Sequence, residues 1–384
     1  MQPKITIIIP VYNVEPYLRQ CLDSVANQTM QDIQAICVND GSPDNSLVIL
    51  QEYADRDFRF EIIDKPNRGQ AAARNTAFPS IRGRYTMFVD SDDWIDLKAC
   101  ENSYWYAEQT QADFVLFQRY WYQQKTAAAT PDYRDWPLLC ETLGQKKQLL
   151  KTARFTACIN LWRSDFLLQH SLTFPEGLIN EDSFFFWQAV TRAERIAFLP
   201  QLLYYHRQHG TSTMRSFGEK RMDIFQIYTL IEEDLRQSGN YSLYRDEFIT
   251  RKLREGKFVI ETIHPKFRQQ AEQRFIETIG QEDIDYLKAM KRHRGTRDYC
   301  LSLMGIPCPW HRKLVEKACQ LTRPLVRHLK PQLRRLQRKV LRRHISPLEN
   351  RIVQLNDLVC QLCREIVELK ASQTESFKPL KKVA

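Results

Sequence analysis

Short apolar runs separated by polar turns dominate the first ninety residues. Residues 5–11, 34–38, 60–64 and 85–89 have the length and the β-branched or aromatic content of buried strands. Between them, residues 14–27, 45–54 and 69–77 carry helical spacing, with Leu18, Leu22 and Val25 on one face of the first. Strands alternating with helices at this interval predict βαβ units, and therefore an α/β fold with a mostly parallel sheet and helices on both faces. Ligands of such sheets sit beyond the carboxyl ends of the strands. Tyr12-Asn13, Asp40-Gly41-Ser42 and Asp90 to Asp93 all fall there.

Beyond Asp96 the pattern predicts a helix to about residue 109, a strand over 114–120, a loop over 125–137 and then a helical region. Asn180-Glu181-Asp182 opens an aromatic helix over 183–190, residues 196–199 form a short strand, and residues 204–212 read as a polar loop. From Phe217 only helices are expected, with connections near Gly239 and His264-Pro265, and one surface helix over 275–290. Four prolines, Pro307, Pro309, Pro324 and Pro331, mark a change of character. Leu348, Ile352, Leu355, Leu358, Leu362, Ile366 and Leu369 then recur at alternating spacings of three and four, the pattern of a coiled coil or of one long helix folded back on the body. The domains expected are residues 1–215, a helical extension 216–300, a basic amphipathic region 301–345, a coiled coil 346–371 and a frayed end 372–384.

Charge sharpens this division. The 384-residue chain has a net charge of +10, but residues 311–344 hold twelve Lys/Arg against one acid, Glu316, so the remainder is near neutral. Cations interleaved with Trp310, Leu314, Val315, Leu325, Val326 and Leu329 predict a helical surface lying on an anionic bilayer. No window is apolar enough to span a membrane and no basic-then-apolar segment follows Met1, so a cytoplasmic location at the membrane's inner face is expected. The ten scattered cysteines read as reduced thiols.

The candidate chemistry centres on residues 85–94. Five strand-type residues run into Asp90, Asp92 and Asp93, and carboxylates so close repel unless a cation sits among them. A hard divalent ion, Mg²⁺ or Mn²⁺, would take oxygen ligands from one or two of them, the rest coming from water and substrate phosphates. The alternative is an acidic turn capping a helix that starts near Ile95. Tyr12 could stack on a base and Asp40 accept a hydrogen bond from a base imide N–H, although both stretches are also good turn sequences. Arg74 is placed to pair with a diphosphate or to form a surface salt bridge, and Glu181-Asp182 either serve chemistry or complement a helix start.

Five motifs then coincide in order: Ile7-Ile8-Ile9-Pro10-Val11-Tyr12-Asn13, Val38-Asn39-Asp40-Gly41-Ser42, Asn67 through Ala73-Arg74-Asn75, Phe88-Val89-Asp90-Ser91-Asp92-Asp93 and Glu181-Asp182. In this the chain resembles family 2 glycosyltransferases of the GT-A (Rossmann-like) fold over roughly residues 1–215. Leu303-Met304-Gly305-Ile306-Pro307 is similar to a short segment near the end of bacterial surface-polysaccharide transferases. The resemblance implies an inverting transfer of a sugar from a nucleotide diphosphate, a UDP-sugar foremost, to a hydroxyl of a glycan or lipid-linked glycan. It implies Asp182 as catalytic base with Glu181 as alternate, and Asp92 with Asp90 as metal ligands supported by Asp93. It implies Pro10, Tyr12, Asn13, Asp40, Arg74, Asp90, Ser91, Arg207 and His209 around the donor, His209 being a metal or phosphate ligand. Ala71, Ala77 and Asn180 depart from the common pattern, and the first two put sugar specificity in doubt.

The competing class is a scaffolding or nucleic-acid-binding protein acting through the basic helix and the coiled coil, which would also make a homo-oligomer. Three aspartates at a strand end argue against a nucleic-acid ligand. A nucleotidyltransferase would need a Gly-rich loop after the first strand, and Pro10-Val11-Tyr12-Asn13 is no such loop.

Overall fold

The computed structural model describes residues 2–209, 218–290 and 293–306. The expected basic region from residue 307, the heptads and the frayed end lie outside the described residues.

The chain opens with β1 (Ile5–Val11), α1 (Glu15–Ala26), β2 (Ile33–Asn39), α2 (Ser46–Arg56), β3 (Phe60–Asp64), α3 (Gln70–Ala77) and β4 (Tyr85–Phe88). Every residue of β1 and β2 is buried, which is why these segments read as continuous apolar runs rather than alternating ones. The four strands are parallel in the order β3-β2-β1-β4, and Val11 lies opposite Asn39, so Tyr12 and Asp40 start side by side. The turn into β4 requires Gly83. A Cβ there would lie 2.3 Å from the Thr6 backbone nitrogen.

Next come β5 (Trp94–Ile95), α4 (Ala99–Thr110), β6 (Phe114–Gln123), β7 (Ala128–Asp132), β8 (Leu139–Cys140), α5 (Leu143–Thr152), β9 (Asn160–Arg163), α6 (Ser164–Gln169), α7 (Glu181–Arg192) and β10 (Ile196–Gln208). Strand β9 runs antiparallel to both β4 and β6, giving a ten-stranded sheet of order β3-β2-β1-β4-β9-β6-β10-β5, with β7 beside β6 and β8 beside β10. The expected α/β fold is present, with its parallel part confined to β1–β4 and the β6–β10 pair; the sheet as a whole is mixed. Its antiparallel members fall where sequence reading expected helix or loop. Leu161 and Trp162 are fully buried between two strand edges that need a backbone partner, and this outweighs the weak local signal.

Three local expectations are corrected. No helix starts at Ile95, because Trp94 and Ile95 pair antiparallel with Tyr205 and Tyr204. The segment read as a loop over 125–137 returns as β7 on β6. The polar loop over 204–212 is strand as far as Gln208, with Tyr205 stacked between Trp94 and Tyr120 at centroid distances of 5.0 and 4.8 Å.

The helical extension comprises α8 (Asp223–Gln237), α9 (Tyr241–Thr262), α10 (Arg268–Glu277), α11 (Gln281–Ala289) and α12 (Arg294–Leu303), with breaks at Gly239 and His264-Pro265 as expected. The helix expected over 275–290 is divided at Gly280, whose N–H is taken by the Asp283 carboxylate. The extension docks on α7 through Trp187, whose ring meets Phe248 at 6.0 Å. Cys21, Cys37, Cys100, Cys140, Cys158 and Cys300 are buried free thiols.

Candidate active site

The carboxyl end of β4 delivers Asp90, Ser91, Asp92 and Asp93 as a tight turn, closed by the Asp93 N–H on the Asp90 carbonyl at 3.0 Å. Alternation turns these acids to different tasks. Asp93 is buried and supports the turn: it accepts from the Tyr204 hydroxyl at 2.7 Å and from the Arg207 N–H at 2.7 Å, with His206 Nδ1 at 3.2 Å. Burial alone would pull His206 down, but the Asp93 carboxylate beside it leaves its pKa raised. Ser91 is buried within the turn.

Asp92 points outward. Its Oδ2 is 2.8 Å from His209 Nε2, and the His209 ring lies 4.7 Å from that of Tyr17. Burial, then the Asp93 and Asp90 charges, push Asp92 up to about 6. Asp90 Oδ1 accepts from Gln70 Nε2 at 2.7 Å and Arg74 at 2.8 Å. Among the described residues, Asp92 Oδ1 and Asp90 Oδ2 have no hydrogen-bond partner, and no group of three or more side chains is arranged to hold a metal alone. Open oxygens on mutually repelling carboxylates fit a hard divalent ion whose other ligands are phosphate and water.

Arg74 is 1% exposed and does not face an open phosphate site. Its guanidinium joins Asp90 to the acid pair that opens α7, donating to Glu181 Oε1 at 3.0 Å and Asp182 Oδ1 at 2.8 Å. Of the two alternatives read from sequence, the structure shows an ion-pair network, and it is buried instead of lying on the surface. Asn180 adopts the left-handed conformation, φ 68°, and turns the chain into α7 so that both acids reach Arg74. Glu181 is raised to about 7 by burial and by Asp182, against the pull of Arg74. Asp182 is raised as well, by burial, with Arg74 opposing.

The other predicted residues divide clearly. Pro10 is buried inside β1, while Tyr12 is 49% exposed and free to offer a ring face. Asn13 sits at φ 52°, its N–H donating to Ser42 Oγ at 3.3 Å. Asp40 is buried with both oxygens occupied: it accepts from Lys65 Nζ, the Arg68 N–H at 3.0 Å and the Gly69 N–H at 2.7 Å. It therefore fixes the loop that launches α3. Arg207 is buried in β10 and clamps the acidic turn, donating from Nε to the Asp92 carbonyl at 2.7 Å, with Gln20 and Gln124 also held and Trp94 4.6 Å from its Cζ. Sequence reading missed Gln70 and Tyr204. Gln70 lies one turn before Arg74 on the same face, a spacing visible in the sequence; Tyr204 was hidden by the reading of its strand as a loop.

Residues 6–170 match the family model described as "Glycosyl transferase family 2". The chain is 34% identical over 228 residues to glycosyltransferase GlyA of Streptococcus pneumoniae, covering 57% of this chain and 32% of that protein. It is 32% identical over 263 residues to the putative glycosyltransferase EpsH of Bacillus subtilis, covering 65% of this chain and 74% of that protein. The chain thus spans about a third of the length of GlyA. Crystalline S. aureus TarS 1–349 in complex with UDP-GlcNAc shares the fold at TM-score 0.63 and 20% identity, over 83% of this chain and 92% of that one. With the acidic strand end and the Glu181-Asp182 pair drawn together by Arg74, these matches make the chain a member of glycosyltransferase family 2.

Proposed function

We propose that this protein is an inverting glycosyltransferase that moves a sugar from a nucleotide-diphosphate donor, a UDP-sugar, to a hydroxyl of a glycan or lipid-linked glycan in bacterial surface-polysaccharide synthesis. The observation that carries this reading is the meeting, through Arg74, of a strand-end carboxylate with a second acid pair 91 residues further along. The donor lies over the β1 and β4 ends, its base on the exposed Tyr12 ring. Asp92 and Asp90, with His209 beside Asp92, are the residues that would hold a Mn²⁺ or Mg²⁺ ion. Such an ion supplies Lewis-acid neutralisation of the departing diphosphate, worth several kcal/mol.

Asp182 acts as the base. The acceptor oxygen forms its bond to the anomeric carbon as the bond to the diphosphate oxygen breaks, and the acceptor proton passes to Asp182. Burial raises the proton affinity of Asp182, which suits a base, while Arg74 keeps it ionised and aimed. Glu181, more deeply buried, holds Arg74 from the other side.

No described helix is long and apolar enough to cross a membrane. With the charge of residues 311–344, this supports a cytoplasmic enzyme held peripherally at the inner membrane face, and the heptads beyond support self-association. A donor screen tests the core of the reading: wild type should hydrolyse one of a panel of nucleotide sugars in a manner that chelation abolishes and Mn²⁺ or Mg²⁺ restores. Asp92→Ala should lower that turnover about a hundredfold or more. Equal turnover by Asp92→Ala would refute it.

A further inference from the structure

One charged cluster beside the site takes no part in the chemistry just described. Arg119 of β6, Arg134, and Arg154 after α5 converge on a single carboxylate, Asp132 at the end of β7, at 3.4, 2.9 and 3.7 Å. No other acid lies within ion-pair distance of these three guanidinium groups among the described residues. Guanidinium groups stay charged under all ordinary conditions, so the cluster carries two uncompensated positive charges. Two of the three also pack on Trp121, with Arg119 Cζ 4.0 Å and Arg154 Cζ 5.4 Å from the ring centroid. Arg119 is held below the usual arginine range by burial, with Asp132 opposing and Arg154 adding to the depression. One carboxylate would satisfy one buried arginine. Three cations gathered on it leave an attraction that a further anion would complete.

The cluster's position gives it a use. In the β6–β10 register Arg119 lies beside Tyr204 and Trp121 beside His206, two of the residues that touch Asp93. The Trp121 and His206 rings are 4.7 Å apart. Arg154 begins the segment that carries Cys158, whose Sγ lies 3.8 Å from the Arg74 guanidinium that holds Asp182. That segment is anchored from α9, where Arg251 donates to the Ala153 carbonyl at 3.1 Å and packs on Phe155 at 4.4 Å. The arginines are therefore tied to the acidic turn on one side and to the base on the other. Arg154 is more than half exposed, and Arg134 is partly so.

We infer that Arg134, Arg154 and Arg119, with the Trp121 ring, form a subsite for an oxyanion, a phosphodiester or a carboxylate, carried by the acceptor beside the hydroxyl presented to Asp182. This rests on the transferase reading above and deepens it: the acceptor is an anionic glycan, and Arg–oxyanion forks fix its register. An ordinary structural ion-pair network would leave the cluster indifferent to added anions.

The test uses the full chain with UDP and Mn²⁺ in excess, so that donor phosphate contacts are filled, and isothermal titration with sn-glycerol 3-phosphate, glucuronate and methyl glucoside. Glycerol phosphate, glucuronate or both should bind and methyl glucoside should not; which anion binds assigns the phosphodiester or the carboxylate. Arg154→Ala should weaken anion binding about fivefold and the Arg134→Ala, Arg154→Ala double variant further. Arg56→Ala, a distant exposed arginine, should leave it unchanged. Circular dichroism spectra matching wild type keep the variants interpretable, and both altered arginines are the exposed members of the cluster. Affinity equal to wild type in the double variant, no binding of either anion, or equal binding of methyl glucoside would overturn the inference. Anion binding that depends on Arg154 while UDP itself fails to bind would instead refute the donor reading and leave the oxyanion site standing.

Discussion

Arg74 bears more of the site than any other single side chain. Removing it by Arg74→Ala leaves Asp90, Glu181 and Asp182 facing one another in a buried space, a loss on the order of 3–5 kcal/mol that a urea midpoint would show. Arg74→Lys keeps one charge but cannot reach three carboxylates with the geometry of a fork, so it should retain the fold and lose transfer about a hundredfold. Glu181 adds a pH signature. Its pKa lies above the ordinary 4.5, near 7, so between those values the folded state binds more protons than the unfolded one and stability falls as pH rises. Glu181→Gln removes that group. Urea midpoints at pH 5 and 7.5 should then differ less in the variant than in wild type, and an unchanged difference would show that Glu181 does not titrate there.

At the level of elements, the fit of β4 against β1 is tight enough to forbid a methyl group. Gly83→Ala puts a Cβ against the Thr6 backbone, which cannot swing aside as a side chain can, and should cost about 3 kcal/mol, read as lost soluble yield or a lowered melting temperature. The first βαβ units were legible because their strands are buried on both faces and their helices carry one apolar face. β9 and the part of β10 beyond Leu199 were not. Asn160-Leu161-Trp162-Arg163 is a strand because two open edges claim it. In β10, Tyr204 and His206 face the acids while Tyr205 and Arg207 face the Trp94 ring, so both faces are polar-aromatic and the period of two does not register as hydrophobic alternation. The site was legible in identity and less so in role. The structure brings His209 to Asp92, and Glu181 and Asp182 through Arg74 to Asp90. The protein partners of Asp40, Arg74 and Arg207 were not legible, because they lie far from these residues in the chain.

At the scale of the whole molecule, charge is unevenly distributed along the chain. Residues 311–344 hold the cationic excess, while the described body carries the acids. Deleting the chain from His311 onward should move the protein from the membrane pellet to the soluble fraction while donor hydrolysis persists; continued sedimentation with membranes would show that another surface anchors it. Sodium chloride at about 0.5 M should mimic the deletion, since attraction between exposed charges is screened beyond a few ångströms at that strength.

The Arg74 bridge spans positions 74, 90, 181 and 182, and so imposes an order on the birth of the protein. A ribosome must deliver nearly half the polypeptide before the second acid pair exists, and until then the first hundred residues hold a cation with nothing to face but Asp90. A chain cut before α7 would therefore carry the Asp90 half of the cluster without the two acids it meets through Arg74. When α7 docks, Arg74 goes from one carboxylate partner to three, and the turn after β4 and the start of α7 become a single charged unit.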